Sequence, residues 1–481
     1  MGDTQSRPVA IPLVVDMDGT LLRTDTLQEG LVAYVSQNPF RLFRVLGWIA
    51  RGKMVLKERV STHAPLDSAT LPVNERVLEY VRHQRGTGRA ALLVTGAAHG
   101  TAQSVFEVVG EFDEVITTSP INGNLSGDRK ATYLVNRFGA GGYSYIGDSR
   151  KDMAIWRAAH DGVAVDAGYG IRRELKSLSS PMVYFNSPRA DARTWVKQLR
   201  LHQAAKNVLI LAPLVLAHQF LDAPSLLRGT LMLIAFTCLS CGTYIWNDLH
   251  DLAADRSHPT KKNRPLAAGL IPIHRALAVA GALLVSAFAI SASLGWDAVA
   301  ILLVYLVTTV SYSSFFKRVI VADVIVLAAL YTVRIFAGAI AVHVSLSIWV
   351  ILTSVFLFFS LALMKRYSEF VKYEGTQLSG RGYQYRDRGA ILAFGVASSL
   401  VTVLVIGLYV DSDAVRVLYA TPEILWAVIP LVLYWVTRLW ILTERGDMND
   451  DPVAFTLTDR VSQVVLLATA TVVVAATLIG R

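Results

Sequence analysis

From about residue 207 to the C-terminus the chain carries one apolar run after another of bilayer-crossing length, and nothing else in it restricts the possible folds so strongly. A hydrocarbon core about 30 Å thick takes roughly twenty residues of helix to cross, and lipid offers no partner to an unpaired backbone group. About nine helical spans are therefore expected: Asn207–Leu221, Ser225–Trp246, Arg275–Leu294, Asp297–Phe316, Ile320–Val342, Ser345–Leu363, Ala390–Val410, Pro422–Leu442 and Val461–Ile479. The first of them is short. Loops after the second, fourth and sixth spans hold Arg256, Lys261, Lys262, Arg264, Lys317, Arg318, Lys365, Arg366, Lys372, Arg381, Arg386 and Arg388, whereas the opposite loops hold little beyond Arg228 and Arg416. Positive charge marks the cytosolic side. The N-terminus, MGDTQSRPVA, has no signal-like apolar core, which places the preceding domain on that side too. The expected location is a cell (inner) membrane, crossed many times.

The whole chain is 53% hydrophobic with a mean hydropathy of +0.43, too apolar for an ordinary soluble protein. A formal charge of +9 would suit nucleic acid, but the basic residues lie beside apolar spans and no nucleic-acid motif occurs. Anionic lipid is the expected counterpart. Cys238 and Cys241 sit inside an apolar run, where small-residue packing is the expected role rather than redox or zinc chemistry.

The first 189 residues read differently. The runs Ile11–Val15, Ala90–Thr95, Glu114–Thr118, Ser144–Ile146 and Gly162–Val165 predict buried parallel strands between helices, hence an α/β domain. A helical insert, about residues 24–89, separates the first two strands. Within it, the segment from Phe40 to Ile49 alternates basic and apolar residues, as a membrane-surface helix or a plain cap helix would. Residues 190–206 form a basic, Trp-containing connector expected to be an interfacial helix, and the membrane domain is expected over residues 207–481.

Asp16 and Asp18 of the string Asp16-Met17-Asp18-Gly19-Thr20 directly follow the first strand, where open α/β sheets place ligands. One such carboxylate can attack phosphorus while the other moves the proton of the leaving oxygen. Thr95 and Gly96 end a second strand and can offer a hydroxyl and amides to phosphate. Lys130 supplies a point charge, and Asp148 and Asp152 follow a third strand with acids suited to Mg²⁺. The set resembles the haloacid-dehalogenase-like (HAD) phosphohydrolase superfamily. That resemblance implies a Rossmann-like HAD phosphatase with a helical cap: Asp16 as nucleophile, Asp18 as acid/base, Thr95, Gly96 and Lys130 on phosphate, and Asp16, Asp18, Asp148 and Asp152 around Mg²⁺.

Asn247, Asp251 and Asp255 recur every fourth residue where the second span meets a basic loop, so on a helix they share a face. Carboxylates beside hydrocarbon usually mark a ligand or ion site, and Mg²⁺ shared with substrate phosphates fits them. The spans and the N-D-x-x-D-x-x-x-D string resemble the UbiA-type intramembrane prenyltransferase superfamily, which implies an all-α polytopic membrane domain. The second aspartate pair usual there is missing; only Asp323 stands in that region. The strings from His258 to Gly269, Tyr312-Ser313 with Lys317 and Asp323, Arg334 to Gly338 and Lys365 to Glu369 are similar to the decaprenyl-phosphate phosphoribosyltransferase branch. The segment from Leu199 to Asn207 is also similar, but lacks that branch's Pro and Trp.

That resemblance implies transfer of 5-phosphoribose from phosphoribosyl diphosphate (PRPP) to a polyprenyl (decaprenyl) phosphate, with Asn247, Asp251 and Asp255 as catalytic metal ligands. Lys261, Arg264, Tyr312, Lys317, Asp323 and Arg334 become candidate substrate-binding residues. Arg334 lies well inside a span, so it either holds phosphate or pairs with a helix carbonyl or Asp323; Lys365 and Arg366 are expected to anchor a span end at the headgroups. With an attached phosphatase, the expected product is polyprenylphosphoryl-ribose, a precursor of a pentose (arabinofuranose) donor for envelope glycans. An aromatic-acceptor, quinone-pathway prenyltransferase fused to an unrelated phosphatase remains the alternative. The acidic loop from Gly446 to Asp459 either closes over the site or is a solvated connector, and a homo-oligomer stays open.

Overall fold

The computed structural model describes residues 11–38, 40–118, 123–178, 180–187, 190–372, 382–448 and 451–479. The N-terminal decapeptide, the 189 boundary, Arg381 and residues 449–450 of the acidic loop lie outside the described residues. The chain divides into two compact units, Met1–Leu199 with Ile245–Val279, and Arg200–Tyr244 with Ala280–Arg481. The stretch 245–279, which carries the Asn247 motif, thus packs with the N-terminal domain rather than with most of the apolar helices.

In the first unit the elements run β1 (Leu13–Val15), α1 (Thr26–Gln37), α2 (Arg41–Ala50), α3 (Lys53–His63), α4 (Glu75–Gly86), β2 (Ala91–Ala98), α5 (His99–Val109), β3 (Glu114–Thr118), α6 (Asp128–Phe138), β4 (Ser144–Gly147), α7 (Met153–Ala158), β5 (Gly162–Val165), α8 (Tyr169–Leu175), β6 (Met182–Phe185) and α9 (Ala192–Leu199). All six strands are parallel, in the order β3-β2-β1-β4-β5-β6. This doubly wound order reverses direction at β1, so the crevice beyond β1 and β4 is the expected ligand position. Alternation along β1 sends Leu13 and Val15 against Val77 and Val81 of α4, and Val14 against Leu134 and Trp156 on the other face. Five strands coincide with the sequence expectation; β6 was not foreseen.

The insert is smaller than the expected 24–89. Only α1 to α3 form the cap, around Tyr34, Val45, Leu56 and Val60, because α4 spends its apolar stripe on the sheet. The connector 190–206 is not one helix either: Arg200, in the left-handed region at φ 51°, separates α9 from α10 (Leu201–Ala204).

Beyond it come a 3₁₀ segment (Ala205–Leu211), α11 (Ala212–Leu216), α12 (Ala223–His250), α13 (Leu252–Ser257), α14 (Ile273–Leu294), α15 (Trp296–Ser314), α16 (Ala322–Ala341), α17 (Ile348–Lys372), α18 (Arg388–Val410), α19 (Asp413–Leu418), α20 (Val428–Glu444), α21 (Pro452–Thr458) and α22 (Arg460–Leu478). Among the described residues eight helices are long and apolar enough to cross a membrane, not nine. The expected first span is the exception: its twelve residues, Ala205–Leu216, are too short to cross. Within the second unit the apolar helices pack around Tyr331, Phe358, Leu361, Leu439 and Trp440, and around Ile210, Phe236, Leu302 and Tyr305. Gly338 of α16 permits a close backbone approach, since a Cβ there would lie 1.9 Å from the Ile210 carbonyl oxygen.

Candidate functional site

The acids scattered through the first unit converge beyond the C-terminal ends of β1 and β4. Asp16 leaves β1 and Asp148 leaves β4; carboxylate oxygens of Asp16, Asp148 and Asp152 lie within 4.8 Å of one another. Lys130, in the first turn of α6, donates to Asp16 Oδ1 at 2.7 Å and to Tyr145 Oη at 2.9 Å, and Tyr145 donates onward to Asp152 Oδ1 at 2.8 Å. Asp152 Oδ2 also accepts from the amide and hydroxyl of Ser149, both at 2.9 Å, so Asp152 orients the loop after β4. Gly19 lies in the left-handed region at φ 77°, and a Cβ there would meet Asp148 Oδ2 at 2.5 Å. Only glycine lets the turn after Asp18 pass so close to that carboxylate.

Asp18 Oδ1 accepts the Thr26 amide at 2.9 Å, at the N-terminus of cap helix α1. The cap closes a cavity of about 440 Å³ lined by Asp16, Asp18, Thr95, Gly96, Lys130 and Asp148. Thr95 is buried and its hydroxyl accepts the Ala97 amide at 3.1 Å. The cap adds a lysine that the sequence reading missed. Lys57 of α3 donates to the Gly96 carbonyl and, at 3.2 Å, to Asn124 Oδ1. No spacing announces it, since it comes from a separate helix.

Three clustered carboxylates facing one lysine leave a buried excess of negative charge, a donor set that suits a hard divalent cation such as Mg²⁺. The same excess raises the acids. Burial, then Asp25, lifts Asp18 from 3.8 to about 7 against the opposing Thr26 amide. Burial also raises Asp16, against the opposing Lys130, and raises Asp148, with Asp152 reinforcing. Between pH 3.8 and about 7 the folded chain therefore holds a proton at Asp18 that the unfolded chain has lost, so stability falls as pH rises through that window. In EDTA the first melting transition is expected to be lower near pH 8 than near pH 5, with Mg²⁺ restoring it near pH 8. A transition indifferent to Mg²⁺ at the higher pH contradicts the metal assignment.

The Asn247 motif holds its helical register across a junction. The amide of Asp251 donates to the Asn247 carbonyl at 2.9 Å, and that of Asp255 to the Asp251 carbonyl at 2.8 Å, although Asp251 itself separates α12 from α13. The backbone thus keeps the three residues one turn apart. Asp251 Oδ1 lies 3.1 Å from His250 Nδ1. Asp255 is buried and pairs with Arg264, which also reaches Asp248 Oδ1 at 3.3 Å. Gln198 of α9 donates to Asp248 Oδ2 at 2.8 Å. Asp248 is not among the residues expected from the sequence to form the motif; its spacing of seven residues from Asp255 is the signal that points to it. Lys261 is exposed.

A buried ion pair joins this loop to the cap. Arg256 grips Glu29 of α1 in two-pronged fashion, at 2.6 and 2.5 Å, with both side chains no more than 5% exposed. Arg256 Nε also donates to the Ala267 carbonyl at 3.0 Å, and Thr24 donates to the same Glu29. Removing one partner leaves a buried charge. Arg256→Ala is expected to destabilise the first unit by about 3–5 kcal/mol, whereas Arg256→Met with Glu29→Met is expected to recover most of that loss. Thermal unfolding of the two variants checks this; equal losses would contradict it.

In the second unit Asp323 is fully buried and accepts from Arg366 Nε at 2.5 Å and Tyr383 Oη at 2.7 Å. Arg366, also fully buried, reaches Glu369 at 2.6 Å and Tyr312 Oη at 3.0 Å. This corrects the expectation that Arg366 anchors a span end at the headgroups. Tyr312 and Asp323 therefore share one polar network, and Lys317 lies in the short turn after α15. Arg334 donates to the Leu330 carbonyl, to Asn207 Oδ1 at 2.9 Å and to Tyr305 Oη at 2.8 Å. The expected pairing with a helix carbonyl is thus formed. Asp451, from the acidic loop, pairs with Lys206 and lies 3.7 Å from Lys365, so that part of the loop is bound rather than a solvated connector.

Comparison with known proteins adds family-level evidence. The UbiA prenyltransferase family profile matches residues 208–477. An uncharacterized protein of Sinorhizobium fredii is 34% identical over 458 residues, 94% of this chain and 88% of its own length, so both halves recur together in that chain. Nodulation protein NoeC of Azorhizobium caulinodans is 31% identical over 58% of this chain and 91% of its own length. Decaprenyl-phosphate phosphoribosyltransferase of Mycolicibacterium smegmatis is 28% identical over 57% of this chain and 89% of its own.

Proposed function

The chain belongs to the UbiA prenyltransferase family, and on that footing we propose that it transfers 5-phosphoribose from PRPP to a polyprenyl phosphate and that its α/β unit then removes the 5-phosphate. The observation that carries the transfer reading is the likeness to a decaprenyl-phosphate phosphoribosyltransferase along 89% of that enzyme's length. The missing second aspartate pair agrees with it, because a prenyl-diphosphate donor would lack its usual second set of ligands. In the transfer, the bond from ribose C1 to the diphosphate breaks and an oxygen of the lipid phosphate bonds to C1. Lys261 and Arg264, which follow the Asn247 motif in the same unit, are the candidate cations for the phosphate groups; Arg264 would exchange its contacts with Asp255 and Asp248 for them. Asn247, Asp251 and Asp255 face the leaving diphosphate.

The hydrolase reading rests on the convergence of Asp16, Asp18, Lys130 and Asp148 in one cavity, as in a HAD-type phosphatase. Asp16 attacks the 5-phosphate, and the ribose oxygen departs with a proton from Asp18, whose carboxyl burial raises to about 7, so that a substantial share of it carries a proton at neutral pH. Asp18, now ionised, takes the proton of the water that releases phosphate from Asp16. Lys130 balances charge on the attacked group. Mg²⁺ held by Asp16, Asp148 and Asp152, and at the Asn247 motif, would stabilise the charge that develops on phosphate oxygens. The product is polyprenylphosphoryl-ribose, an acceptable precursor for envelope pentose donors. Tethering raises the second site's effective concentration for the first site's product.

Both sites are assigned to the cytosolic face of the inner membrane by the loop charges. The test supplies purified chain with labelled PRPP and a polyprenyl phosphate. Label appearing in lipid supports the reading; consumption of a prenyl diphosphate with an aromatic acceptor instead, and no ribose transfer, supports the quinone-pathway alternative.

A further inference from the structure

The cap presents a surface that neither proposed reaction uses. Helix α2 turns Val45, 4% exposed, and Trp48, whose ring lies tilted 4.9 Å from that of Tyr34, toward the rest of the cap. Its other side carries Leu42, Phe43, Leu46 and Ile49 at 50–72% exposure, with Phe40 at 76% just before it. Positions 42, 46 and 49 recur at helical spacing, so these side chains form one patch. From Asn38 to Leu56 there is no acidic residue, while Arg41, Arg44, Arg51 and Lys53 are basic. An outward apolar face flanked by unopposed cations is the pattern of a helix lying in an anionic membrane interface. A soluble domain would be disfavoured by such a patch. This chain crosses a bilayer many times, so a lipid surface stays within tether reach of the cap.

We propose that α2 is a membrane-docking helix whose Phe43, Leu46 and Ile49 bed into an anionic bilayer surface while Arg44 and Arg51 meet lipid phosphates. Docking would present the cap, and the cavity it covers, to phosphate esters carried on lipid.

The test uses the full chain in nanodiscs, with Cys238→Ser and Cys241→Ser removing the native thiols. Spin labels are placed by Phe43→Cys, Leu46→Cys or, as an exposed control on α3, Thr62→Cys. In phosphatidylcholine–phosphatidylglycerol discs, the ratio of oxygen to aqueous nickel-chelate collisions should be severalfold higher at 43 and 46 than at 62. Adding Arg44→Glu and Arg51→Glu should reduce that ratio toward the control. Labels at 43 and 46 as water-accessible as the one at 62 overturn the proposal. Dipolar broadening between labels of two copies, without lipid burial, overturns it in favour of a self-association face. The collision readout needs no turnover, so its failure is separable from failure of the phosphatase reading.

Discussion

Asp16→Asn should abolish phosphate release from the ribosylated lipid, by on the order of a thousandfold or more, while ribosyl transfer continues at its original rate. Asparagine is nearly isosteric and can still accept from Lys130, whose ammonium lies 2.7 Å from Asp16 Oδ1, so the cavity should keep its shape. What it loses is the anionic nucleophile and one of three clustered carboxylates. Loss of negative charge should also relieve the repulsion from Asp16 that helps to raise Asp148, so the variant is not expected to melt earlier. The measurement is thin-layer separation of labelled lipid products alongside a free-phosphate assay. The 5-phosphorylated lipid should accumulate. Undiminished phosphate release would remove the hydrolase assignment; loss of both activities would mean that the two reactions cannot be separated by this residue.

Replacing Asp251 and Asp255 together by asparagine should depress ribosyl transfer by about a thousandfold, because charge on the departing diphosphate would lose its cation-binding carboxylates. The two acids are not equivalent. Asp255 is buried against Arg264, whereas Asp251 lies at the helix junction beside His250. Asp251→Asn alone is therefore the cleaner probe of metal binding, and Asp255→Asn also frees Arg264 to shift. Hydrolysis of a ready-made 5-phosphorylated lipid should survive the double change, which reports on the integrity of the α/β unit. If glycolipid still forms at the original rate, the motif has no part in transfer.

Local patterns settled much of this molecule. Apolar runs of span length place helices because hydrocarbon supplies no other backbone partner, and eight of nine expected spans became long helices. The exception, Ala205–Leu216, shows the limit of hydropathy: an apolar composition says that a segment is buried, not in what. The strands of the sheet were legible because both faces are covered, which leaves continuous apolar runs. The D-x-D-G-T string announced its cavity because the turn demands glycine at position 19, where a Cβ would collide with Asp148.

Sequence by itself thus determined the element types and pointed to the candidate acids, since each depends on residues close together along the chain. Tertiary structure alone decided the partners. Lys57 reaching Gly96, Arg366 neutralising Asp323, Gln198 holding Asp248 and Arg256 clamping Glu29 join residues between 39 and 227 positions apart. Buried charges must find opposite charge or hydrogen bonds wherever the fold brings them, and that requirement leaves no period in the sequence to read.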